Sequence, residues 1–177
     1  MEKSAVVELL KDVVEKDSQD NLICPILIAT PNAGNRGKTT SLKSLILALS
    51  NMNESNVKYV YGDPEFVSIL NITNNTPAPG WLSNILQPLD RRQYDLSVVI
   101  TVNTDSGREI KIGISTHGDE EQKIENFLCT GTGDSILKPD FLNCHVIFSA
   151  CHTKGHPSYK KLQDICASNH ISICNIR

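Results

Sequence analysis

Lys38 and Thr39 are where the chemistry-bearing residues of this chain converge. They close the stretch Pro31-Asn32-Ala33-Gly34-Asn35-Arg36-Gly37-Lys38-Thr39-Thr40, in which turn-forming residues run directly into one cation and two hydroxyls. A ligand carrying phosphate suits such a segment. Gly34 and Gly37 free the backbone where side chains would block close approach. Asn32 belongs to the small set of non-glycine residues that enter left-handed geometry readily. Inward-turned backbone N–H groups with a helix N-terminus behind them cradle phosphate oxygens. In such a cradle the Lys38 cation suits phosphate oxygens and the Thr39 hydroxyl, with Thr40 in support, suits a hard divalent cation.

The flanks supply the elements that must position this loop. Leu22 to Ala29 is a nearly continuous apolar run, short enough for a buried parallel strand. Beyond the loop, Leu42, Leu45, Ile46 and Leu49 fall at i, i+3, i+4 and i+7, one face of a helix. Strand, glycine loop, Gly-Lys-Thr and helix in that order resemble the P-loop NTPases, with Asn32 where the family pattern has its first Gly. The resemblance implies a three-layer α/β domain with a mainly parallel sheet and helices on both faces. It also implies that residues Asn32 to Thr40 bind the phosphates of ATP or GTP together with Mg²⁺.

A P-loop protein also needs an acidic residue at the end of a second strand to hold the metal's water shell. No apolar strand in this sequence ends directly in Asp or Glu. The nearest substitute follows a hairpin, Leu96 to Val102 and Ile110 to Ile114, joined by Asn103-Thr104-Asp105-Ser106-Gly107. With Ser115-Thr116-His117-Gly118-Asp119 after it, this region resembles the hairpin of small GTPases, Ser115 standing where their Asp stands. That resemblance implies three roles. Gly118 offers its N–H to the γ-phosphate, His117 lies near the attacking water, and Asp119 replaces the missing metal-shell carboxylate. Asp119 also reads as a helix N-cap, with Gln122 as its capping-box partner. Thr153-Lys154-Gly155 stands where GTPases carry their base-reading residues, so Lys154 packs on a nucleobase. His156 occupies the place of the guanine-reading Asp, which favours ATP over GTP.

Other chemistries compete for the same residues. In small P-loop kinases a carboxylate after the second strand orients the acceptor hydroxyl, and Asp63 lies suitably, with Arg91-Arg92 to clamp a transferring phosphate. Turn chemistry alone also accounts for Gly62-Asp63-Pro64. A third reading is a binding module that keeps the loop and does not hydrolyse. Cys144, Cys151, His152 and His156 set an H-x₃-H pair beside two thiols. Read as one strand, however, Cys144 and Cys151 face opposite sides, which disfavours zinc.

Composition narrows the setting. With 177 residues and a net charge of −3, the chain reads as one domain over 1–177, without the basic surface that nucleic acid requires. The charged start MEKSAVVELLKDVVEKD is no signal peptide, and no apolar run is long enough for a membrane span. A cytoplasmic protein is expected, its six cysteines reduced. Residues 1–17 carry a leading amphipathic helix over 4–16, for packing on the sheet or for a protein partner. Residues 72–93 form a long loop around the single tryptophan, Trp81, anchored on its own domain.

Overall fold

The computed structural model describes residues 26–31, 37–52, 55–65, 72–73, 78–86, 94–103 and 107–175. The leading helix over 4–16, loop residues Asn32, Ala33, Gly34, Asn35 and Arg36, and the pair Arg91-Arg92 lie outside the described residues.

The fold is mixed α/β. Strand β3 (Leu96–Asn103) and strand β4 (Glu109–Ser115) form the expected hairpin, paired antiparallel from Ser97 opposite Ser115 to Asn103 opposite Glu109. Strand β2 (Asn56–Gly62) pairs antiparallel with the other edge of β3. On the far side of β4 lie β5 (Val146–Cys151), β1 (Ile26–Pro31) and β6 (Ser172–Asn175), all parallel. The order across the sheet is β2-β3-β4-β5-β1-β6. The sheet is therefore mixed rather than simply parallel, with β3 alone running against the other five strands.

Both faces of the sheet are covered, which is why β3 is buried from Leu96 to Ile100 and β5 along its whole length. Helix α1 (Lys38–Ser50) lays Leu42, Ile46 and Leu49 against Val98, Ile100, Ile112, Ile114 and Phe148. Helix α2 (Glu121–Leu128), the short α3 (Pro139–Leu142) and α4 (Pro157–Ser168) cover the opposite face, around Val99, Ile147 and Cys151. Trp81 and Ile85 join the α1 side, Trp81 edge-on to Tyr59 with ring centroids 6.1 Å apart. That part of the long loop is anchored on its own domain.

Two local expectations need correction. The N-cap of α2 is Glu120, without a side-chain capping bond, and the Asp119 carboxylate turns elsewhere. Cys144 precedes β5 rather than lying in it. Its thiol is buried near Gly113 and faces the Asp140 carbonyl at 3.4 Å. Phe141 of α3 explains Gly113, because a Cβ there would come 2.7 Å from the ring. Among the described residues no helix is long and apolar enough to cross a membrane.

Candidate functional site

Because β3 is reversed, its beginning shares a rim with the ends of β2, β4, β5 and β1. Helix α1 starts on that rim. Gly37 precedes its first turn at φ 73°, a left-handed geometry in which a side chain is strained. Lys38 follows, its side chain 9% exposed, with Nζ 3.3 Å from Asp119 Oδ1 and 3.0 Å from the Cys151 carbonyl at the end of β5. Thr40 is exposed on the same turn.

The Thr39 hydroxyl meets a carboxylate that stands at no strand's end, that of Asp95. Its Oγ1 lies 3.2 Å from Asp95 Oδ1 and 3.4 Å from the Thr116 carbonyl. Asp95 Oδ1 also accepts the Thr116 hydroxyl at 2.7 Å, while Asp95 Oδ2 meets His117 Nδ1 at 2.8 Å. The Asp95 backbone N–H donates to Asp63 Oδ2 at 2.9 Å, and the Asp63 N–H returns to the Asp95 carbonyl at 3.1 Å. Asp95 precedes a strand instead of ending one. Only the reversal of β3 brings it to this rim, and its one signal in the sequence was its place at the head of the hairpin.

Electrostatics make this carboxylate a stable anion. Burial pushes the Asp95 carboxyl upward, but the hydrogen bonds of His117 and Thr116, with the charge of Lys43, outweigh it and hold it below the usual carboxylate range. Lys43, a second cation on α1, is only 3% exposed. Burial pulls its ammonium below the usual lysine range, against the opposing pull of Asp95 and Asp63. The apolar spacing along α1 gives no sign of Lys43, a charged residue buried beside Leu42.

The remaining expected residues divide. His117 is 4% exposed, with its ring against Phe127 at 5.3 Å, and its Nε2 accepts the Glu120 N–H at 3.4 Å. Gly118 lies so close to β5 that a Cβ would come 2.5 Å from the Ala150 carbonyl oxygen. Asp119 shares its Oδ1 between Lys38 and His152 Nε2, also 3.3 Å away. Burial, then the charges of Lys38 and His156, pull the His152 imidazole below its usual range. Lys154 is exposed on the turn after β5, and His156 caps α4 by accepting the Ser158 N–H at 3.2 Å. Thus Lys38, Thr39, His117 and Asp119 come together, joined by Asp95, Thr116 and Lys43.

A hydroxyl beside an ionised carboxylate at a helix start is an oxygen donor set, suited to a hard cation that keeps most of its waters. Among the described residues no group of three or more His, Cys, Asp or Glu side chains is placed to hold a metal ion. No protein-family model, curated protein or solved structure matches this chain.

Proposed function

We propose that the chain is a nucleotide-binding domain of the three-layer P-loop type. It takes a nucleoside triphosphate with Mg²⁺ and hydrolyses it slowly, as a switch or energy module. One observation carries this reading: the Thr39 hydroxyl on the first turn of α1 is hydrogen-bonded to Asp95, immediately after Gly37 and Lys38. The donor set fits the metal, since Thr39 and the low-lying Asp95 carboxylate offer oxygen ligands and no soft ones. Mg²⁺, when bound, neutralises charge on the phosphate oxygens. Lys38 exchanges the Asp119 carboxylate and the Cys151 carbonyl for those oxygens. Asp119 then acts on Lys38, and the metal-shell carboxylate is Asp95.

Slow turnover follows from His117, whose two ring nitrogens both face partners inside the fold and are not presented to an attacking water. The same observation favours a second reading, nucleotide binding without hydrolysis unless a protein partner supplies the missing group. Asp63 is already engaged at the Asp95 N–H, which argues against its use as a kinase base. ATP is favoured over GTP because His156, at the place of a guanine-reading acid, is occupied in capping α4.

Calorimetric titration with Mg·ATP and Mg·GTP tests the proposal. The parent chain binds one of them, and Lys38→Ala weakens that binding at least about tenfold, the loss of a charge-assisted phosphate contact. A Lys38→Ala chain that binds as tightly as the parent, or a parent that binds neither nucleotide, overturns it.

A further inference from the structure

His117 sits at the rim without facing it. Its Nδ1 meets Asp95 Oδ2 at 2.8 Å, and its Nε2 receives the Glu120 N–H at 3.4 Å. A nitrogen that accepts an N–H carries no proton, so the imidazole is the Nδ1–H tautomer and Nδ1 donates to the carboxylate. The ring is clamped against Phe127, and the backbone on its far side cannot drift because Gly118 lies against Ala150. With Oδ2 held in this way, and the Asp95 backbone pinned by Asp63, the rotation of the carboxyl group is set. Oδ1 is the oxygen that remains for Thr39 and Thr116.

We infer that His117 is the positioning residue of Asp95: its Nδ1–H fixes the carboxylate so that Oδ1 faces the Thr39 hydroxyl, where a divalent cation is to be shared. The inference rests on the proposed nucleotide reading. It gives His117 a role through Asp95 in place of contact with the attacking water. Hydrogen-bonding partners of a ligating carboxylate typically carry about a 10- to 100-fold effect on metal affinity.

Two variants separate the nitrogens of the ring. The amide of His117→Asn puts an N–H donor at the place of Nδ1, whereas that of His117→Gln reaches only the place of Nε2. Mn²⁺ is titrated by electron paramagnetic resonance into the full chain saturated with ADP or, in parallel, GDP. Nucleotide affinity is measured separately in EDTA. The expected result is a loss of Mn²⁺ affinity of about tenfold or more in His117→Gln, near-parental affinity in His117→Asn, and metal-free nucleotide binding changed less than about twofold in both. Unchanged Mn²⁺ affinity in His117→Gln overturns the inference. So does an equal loss of metal and metal-free binding in both variants, which marks a merely structural role. Asp95→Asn is the reference. Loss in Asp95→Asn without loss in His117→Gln sinks the inference alone, whereas parental Mn²⁺ binding by Asp95→Asn sinks the nucleotide reading beneath it. Should His117→Gln fail to fold, nitrogen-15 NMR of the parent chain decides. A protonated Nδ1 and a bare Nε2 support the assignment, and the opposite tautomer overturns it.

Discussion

Asp95 and Asp119 stand on the same rim, yet each holds different partners. Asp119, 55% exposed, meets Lys38 and His152, while Asp95, 17% exposed, meets Thr39, Thr116 and His117. Removing each charge therefore has a different consequence. Asp95→Asn is expected to abolish most of the Mg²⁺ dependence of nucleotide binding, a loss of about tenfold or more. Asp119→Asn keeps the Mg²⁺ dependence and releases Lys38 from a competing anion. Its affinity for the triphosphate rises by no more than about fivefold, the reach of an exposed ion pair. Titrations with and without EDTA distinguish the two. Lys38 and Thr39 were legible in the sequence because local order, turn then cation then hydroxyl, announces them. Asp95 was not, since its meaning depends on which way β3 runs, and strand direction is a property of pairing rather than of local residue order.

At the scale of elements, the hairpin and the helix faces were readable from periodicity. Leu42, Ile46 and Leu49 are buried on α1, and Tyr159, Leu162 and Ile165 on α4, with Pro157 at its first turn. What periodicity misses are polar groups buried in pairs. Glu125 on α2 and Lys161 on α4 form a buried ion pair. Glu125 also accepts the Gly133 N–H at 2.7 Å, and Lys161 reaches the Ser135 hydroxyl at 3.2 Å, so one pair ties two helices to the turn between them. The Lys161 hydrogen bond, then that of Gly133, holds the Glu125 carboxyl below its usual range. A group whose value is depressed by folding adds stability above its unfolded value, about 4.3, and loses it as pH falls through the folded one. Thermal midpoints should fall as pH drops from about 5 to about 3. Glu125→Gln lowers the midpoint by several degrees at neutral pH and shows a smaller further drop in acid.

For the molecule as a whole, ligand binding and stability are linked. A nucleotide at about 100 times its dissociation constant contributes about 2.7 kcal/mol to the folded state, which raises the melting temperature by about 5–10 °C in a chain of this size. That rise should shrink sharply in EDTA and fall by about half or more in Lys38→Ala, measured in one thermal-shift series. The α/β class was legible from alternating strand and helix signals. The sheet order was not, because the neighbours of β1 are β5 and β6, drawn from the far end of the chain. That placement also governs when the site comes into being. The hairpin of β3 and β4 closes over a short turn and is the natural early contact. Lys38, by contrast, meets the Cys151 carbonyl across 113 positions of chain, through the β1–β5 pairing. During synthesis the ribosome therefore releases Lys38 long before the strand that receives it. A nucleotide bound there as proposed cannot assist the early steps of folding; it can only reward a chain that has nearly finished.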